Sequence, residues 1–225
     1  MNVLDELLAN RVITERLPEA TIETLQMVAV SSVLTVLLGL PLGLLLHATS
    51  PGGLTPQRSV ASAVGFVVNV GRSLPFIILL VAVIPFTRAV VGTTIGTTAA
   101  VVPLTIGAIP FYARIVETAI REVPGDVVAA AVAMGASRRQ IVGKVLLREA
   151  RPGLVAGLTI TVVALVGYSA MAGVVGGGGL GDLAVRYGYQ RFETDVMIAT
   201  VVVLVVLVQA VQTLGDVVVR RLSHR

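Results

Sequence analysis

The residues from about Asp195 to Val219 form the cleanest of several apolar runs long enough to cross a bilayer. A transmembrane helix needs about 20 mostly apolar residues. A chain built from such runs is confined to a small set of folds. Mean hydropathy is +0.92. Only 13% of residues are charged, where a soluble domain carries about 25%. These numbers place the chain in the all-α integral membrane class.

Five spans are expected, at about 21–46, 60–90, 98–120, 153–175 and 195–219. The second is the awkward one. Leu74 to Phe86 is apolar but too short to cross alone, and help from Val60 to Gly71 brings Asn69, Arg72 and Pro75 into the segment. Pro75 removes a backbone donor and disfavours helix at Leu74, so a broken or kinked element is predicted there. Residues 1–20 read as an N-terminal periplasmic or interfacial segment with no cleaved leader, and residues 220–225 as a cytoplasmic tail.

Orientation follows from lysine and arginine in the short loops. Arg121, Arg138, Arg139, Lys144, Arg148 and Arg151 fall between spans three and four. Arg220, Arg221 and Arg225 follow span five, and Arg58 lies between spans one and two. Placing all of these inside puts the N-terminus outside and the C-terminus in the cytoplasm of a prokaryotic plasma (inner) membrane. Arg11, Arg16, Arg88, Arg186 and Arg191 are left on the opposite side. The net charge of +4 fits loops near anionic lipid better than nucleic-acid binding. The absence of cysteine excludes disulfides and thiolate metal sites, and the two histidines are far apart, so no metal site is expected.

Residues 126–150 interrupt this oily pattern with a basic helix–turn–helix. Pro124-Gly125-Asp126 reads as a turn delivering an N-cap aspartate. Gly135-Ala136 breaks the first helix, and Ser137 with Gln140 forms a capping box for the second. Ile141, Val142, Val145 and Leu146 share one face, with Arg138, Arg139 and Lys144 largely off it. Two readings stand from spacing alone: an interfacial helix on anionic lipid, or a docking element whose small-residue turn at Gly135 suits close backbone approach to a partner.

The stretch resembles the cytoplasmic coupling loop of ABC importer permeases, whose pattern is Glu-Ala-Ala, three residues, Gly, nine residues, Ile-any-Leu-Pro. Ala130, Ala131, Gly135, Val145 and Leu147 match it. Ala129 stands in the glutamate position and Arg148 in the proline position, so the salt bridge a glutamate would make is missing. RSLPFIILL at Arg72–Leu80, IPFTR at Ile84–Arg88, VVPLTIGAIPF at Val101–Phe111 and VGYSAMAG at Val166–Gly173 resemble the methionine-import branch of that family. So do GGGGLGDL at Gly176–Leu183 and YGY at Tyr187–Tyr189. The resemblance implies five transmembrane helices of the type I ABC importer permease fold, with a cytoplasmic coupling helix–turn–helix. It implies a homodimer, two copies of a separate ABC ATPase and an extracytoplasmic methionine-binding protein, all in contact with membrane lipid and none with nucleic acid. ATP and Mg would be held by the ATPase, with no cofactor on this chain. The residues it assigns to coupling are Ala130, Ala131, Met134, Gly135, Ala136 and Ser137.

Two glycine patterns mislead. Gly176, Gly178 and Gly181 satisfy G-x-G-x-x-G, but a dinucleotide fold requires a preceding strand, and here a membrane span precedes. They read instead as a flexible, tightly turned outer loop. Gly143-Lys144 lacks the first glycine and the Ser/Thr of a phosphate loop, with Arg138 and Val145 in those places. Gly39/Gly43 and Gly153/Gly157 fit small-xxx-small helix packing.

Few ionisable groups enter the spans, where each is costly. Arg114 and Glu117, i to i+3, can pair. Arg72 is either an interfacial arginine at the kink or a cation beside the pathway. Tyr168 and Met171 share a helical face, and a thioether and a ring pack well against a methionine side chain. With Ser169 they are the candidate pathway lining; ordinary helix packing is the competing reading. Gly178, Leu180 and Gly181 are the candidate outer gate, on a segment expected to form a short re-entrant or interfacial helix, where Leu180, Leu183, Ala184 and Tyr187 give a helix-spaced apolar face.

The leading expectation is thus the membrane subunit of an ATP-driven methionine importer working by alternating access, and not itself an enzyme. A permease for another small amino acid, or an ion-coupled secondary transporter, is the alternative. Mid-span acids, which secondary transport calls for, are nearly absent. Gly-x-Ser-x-Gly, paired intramembrane aspartates and His-Glu-x-x-His are missing, which argues against an intramembrane enzyme.

Overall fold

The computed structural model describes residues 10–223, and these are helical apart from short turns. Helix α1 runs Val12–Thr49. It begins well before position 21, because the Asn10 carboxamide oxygen accepts from the Val12 amide at 2.9 Å and starts the helix. Its first turn, Val12–Arg16, is wound wide, immediately ahead of Pro18, whose ring would clash with an ordinary turn. The part of the expected N-terminal segment before Asn10 lies outside the described residues.

Helix α2 is Arg58–Ser73, α3 is Phe76–Ala82 and α4 is Ile84–Val91. The axis bends by 105° between α2 and α3. Pro75, with ψ 132°, stands at the break as the N-cap of α3. Its missing N–H ends the hydrogen-bond ladder, and its ring drives Leu74 out of the helical region. Helix α5 is Thr97–Arg121, α6 is Gly125–Ala133 and α7 spans residues 138–149 with a wide turn at Ile141–Leu146. Helix α8 is Arg151–Val174, α9 is Gly179–Leu183 continuing in a wide turn Ala184–Tyr189, and α10 is Thr194–Ser223. The segment expected as a tail is therefore helical as far as Ser223, and residues 224–225 lie outside the described part. Among the described residues, four helices (α1, α5, α8 and α10) are long and apolar enough to cross a membrane, or up to five spans if the bent α2–α3 pair counts as one. The fold is all-helical and membrane-spanning.

The chain divides into two compact units. The first takes residues 10–34, 74–107 and 162–212. Ala20, Leu180, Leu183 and Val196 form a core there, with Leu17, Tyr187 and Leu204 packed against it. The second takes residues 35–73, 108–161 and 213–223. Its core joins Tyr112, Val116, Ala119 and Ile120 of α5 to Ala131, Ile141, Leu146 and Ala150. The hairpin α6–α7 is thereby packed onto the end of α5.

Glycines set the helix spacing in the second unit. A Cβ on Gly43 would run into the Ala113 carbonyl and Val116, and one on Gly157 into Ile115. One on Gly39 would lie 3.1 Å from the Tyr112 ring, and one on Gly153 3.1 Å from Ala119. Both small-xxx-small pairs therefore bring their helices close to α5.

Candidate functional site

The hairpin of the second unit is built from local signals. Pro124, with φ −57° and ψ 131°, is the N-cap of α6. Asp126 is not the N-cap; it sits in the first turn, where its carboxylate accepts from the Val127 amide at 3.0 Å and favours the positive end of the helix. The far end of α6 closes in a Schellman motif. The Ala136 amide donates to the Ala131 carbonyl at 3.0 Å, and the Gly135 amide to Val132 at 2.9 Å. Gly135 has φ +77°, a conformation that suits glycine. The next residue but one starts α7. The Gln140 amide donates to the Ser137 hydroxyl at 3.4 Å, and the Ser137 amide to the Gln140 side-chain oxygen at 2.8 Å, completing the capping box.

The six residues assigned to coupling divide by this geometry. Ala131 is buried and Ala136 half-buried, both turned to the core with α5. Ala130, Met134, Gly135 and Ser137 are exposed, Met134 at 82%. Nothing lies within 4 Å of a Cβ built on Gly135. Val132, 55% exposed, completes an apolar tip with Met134. The motif match passes over Val132; its signal is a valine off the core-facing side of α6.

Behind the hairpin lies a charged network. Glu117 is buried and accepts from Arg114 one turn before it and from Arg121 one turn after it. Arg114 also donates to the Asn69 side-chain oxygen at 2.7 Å, tying α5 to α2. The Arg114–Glu117 pair follows from spacing; Asn69, 45 positions away, does not. Arg72 lies exposed in the last turn of α2 and makes no ion pair among the described residues. There its charge complements the negative helix end.

In the first unit Tyr168 of α8 stacks on Phe76 of α3, ring centres 4.5 Å apart and planes 6° from parallel. Met171 is 37% exposed. Ser169 is buried, and its hydroxyl donates to the Val166 carbonyl at 2.7 Å. Met171 is thus exposed, Tyr168 is half-buried against Phe76, and Ser169 is turned into the packing.

The segment carrying Gly178, Leu180 and Gly181 is tightly held and helical from Gly179, a short helix and not a flexible loop. Gly179, Leu180, Gly181 and Leu183 are all buried. A Cβ on Gly181 would run into the Ala170 backbone. The Glu23 carboxylate accepts from the Gly179 amide at 2.6 Å, and the Thr24 hydroxyl from the Leu180 amide at 2.9 Å. These two α1 side chains cap α9 across 156 positions of sequence, a partnership no local pattern signals. A charged cavity of about 500 Å³ opens beside it, lined by Arg16, Glu19, Glu23, Asp182 and Arg186 among others. Asp182 and Arg186 pair at 2.9 Å.

Comparison with known proteins follows the same lines. A probable D-methionine transport system permease protein of Vibrio cholerae is 56% identical over 206 residues, 92% of each chain. A methionine import system permease protein of Bacillus subtilis is 44% identical over 181 residues, 80% of this chain and 82% of that one. The solved inward-facing MetNI methionine ABC transporter, in its CY5 native crystal form, superposes with a TM-score of 0.93 at 49% identity, covering 95% of this chain and 99% of that one. Residues 39–225 match the family described as the binding-protein-dependent transport system inner membrane component. With four to five apolar spans, a capped hairpin on the end of α5 and these relatives, the chain belongs to that family of inner-membrane transport permeases.

Proposed function

We propose that this chain is the membrane-spanning subunit of an ATP-driven importer that carries methionine across the cytoplasmic membrane, while a separate subunit hydrolyses ATP. The observation that carries the reading is the hairpin tip. A small-residue turn, fixed by its own hydrogen bonds, presents Ala130, Val132, Met134 and Gly135 outward from a core shared with α5. Relatives 56% and 44% identical are named for D-methionine transport and methionine import, which supports the substrate.

The working unit is a pair of these chains with two ATPase copies bound at the hairpins and a methionine-binding protein on the opposite face. Nucleotide and Mg belong to the ATPase. Lys144 and the five arginines of residues 121–151 support a cytoplasmic hairpin and an outside N-terminus. Closure of the ATPases presses on the tip. Ala131, Ile141, Leu146 and Ala150 are close-packed on Val116, Ala119 and Ile120, so the hairpin and the end of α5 move as one body. Access switches because nucleotide and substrate bind the two arrangements with different affinity. Tyr168 and Met171 line the route for the thioether side chain, Arg72 attracts the carboxylate, and the Gly178–Gly181 segment closes the outer end. Ser169 serves by holding the wall of α8.

Reconstitution in vesicles tests this. Methionine uptake is expected only when the ATPase, ATP and the binding protein are all supplied. Uptake by the chain alone without ATP, or a hairpin accessible from outside, would overturn it.

A further inference from the structure

We infer that the cavity between α7, the start of α8 and the end of α10 is a binding site for the phosphate headgroup of an anionic membrane lipid. Its volume is about 490 Å³, within the ~300–1,000 Å³ typical of small-ligand sites. Lys144, Arg148 and Arg151 line it, with Glu149 as the lone carboxylate and Ser223, whose hydroxyl donates to the Val219 carbonyl at 2.9 Å, at its edge. None of the three cations is ion-paired among the described residues, although Arg16, Arg114, Arg121 and Arg186 all are. Convergent cations left without an internal partner are placed to hold an external anion, and guanidinium groups suit phosphate oxygens by their fork of donors.

Position selects a lipid over a free anion. The spans α8 and α10 begin at Arg151 and end at Ser223, and both residues line the cavity. It therefore lies where two spans meet the headgroup layer. One turn and more before it, Val218 and Leu214 of α10 are 44% and 66% exposed and offer an apolar face to acyl chains. A phosphate bound here would fasten α7, the second arm of the hairpin, to the bilayer surface. This inference needs only that α8 and α10 reach one membrane face at the cavity, so it stands separately from the import reading.

The test uses the full-length chain, with any subunits that co-purify, in bilayer discs of equal phosphatidylglycerol and phosphatidylcholine. After release into mild detergent, retained lipid is counted by native mass spectrometry. Phosphatidylglycerol is expected to be retained selectively. Each of Lys144→Gln, Arg148→Gln and Arg151→Gln is expected to weaken its retention about fivefold, and the triple variant to abolish it. Arg58→Gln, a cation at the start of α2, should leave it unchanged. All three sites are exposed, and the single variants carry the test should the triple one misfold. Equal retention of both lipids, or retention unchanged by the variants, would overturn the inference. So would inorganic phosphate stabilising the lipid-free chain as fully as the lipid does, since the occupant would then be a soluble anion. Release of an ATPase subunit by the triple variant, with lipid retention intact, would overturn it in favour of a protein partner.

Discussion

The hairpin at residues 125–149 and the glycine-rich segment at 176–189 both carry helix ends and turns, but they are held in opposite ways. The hairpin is self-contained. Its turn is closed by Ala131, Val132, Ser137 and Gln140, all within a few positions of one another. The glycine-rich segment has no side-chain cap of its own and takes Glu23 and Thr24 from α1 instead. A locally closed element can present an exposed tip without help. One closed by distant groups is ordered only when the distant helix is in place, and conversely reports on where that helix is.

Substitutions should separate the two regions, most severely where backbone is crowded. Gly181→Val is expected to prevent folding or cost about 3 kcal/mol or more, because its side chain would enter the Ala170 backbone. Yield and thermal midpoint in detergent read this out, and a near-normal midpoint would deny the tight packing. Glu117→Ala should cost somewhat less, near the low end of ~3–5 kcal/mol. It strands a half-buried Arg114 and a mostly exposed Arg121, and water screens the latter. Denaturant unfolding measures it.

Thr24→Val should cost about 1–3 kcal/mol by leaving the buried Leu180 amide without an acceptor. Hydrogen exchange should rise at Gly179 and Leu180 and stay unchanged at Gly135 and Ala136. Equal rises in both places would erase the contrast drawn above. Gly135→Ala should cost about 1–2 kcal/mol for a left-handed alanine, and Ser137→Ala about 1 kcal/mol for a lost cap. Gly135→Trp adds bulk in open space, so the chain should still fold while ATPase pull-down fails. Retained pull-down would remove the tip from the docking surface.

The same contrast explains what could be read from the chain beforehand. Apolar runs, the Ser137–Gln140 box and the Arg114–Glu117 pair are short-range patterns, and each appears where the spacing put it. Helix ends were harder. Asn10 starts α1 ahead of the apolar run, and Pro124 outcompetes Asp126 as the cap of α6. Contacts made across the fold had no trace in the sequence: Asn69 with Arg114, Glu23 and Thr24 with α9, Phe76 with Tyr168. Burial then decided which members of a motif look outward, as with Ala130 against Ala131 or Met171 against Ser169.

The back-to-back Schellman motif and capping box have a consequence for a machine that cycles. Since the polar groups at the Gly135 bend are answered within the bend itself, letting go of a neighbour exposes no broken backbone bonds and asks for no refolding. Under the docking role proposed for the hairpin, such a grip can be made and released on every turnover with the same geometry, and energy from the nucleotide would go into displacement instead of rebuilding the handle.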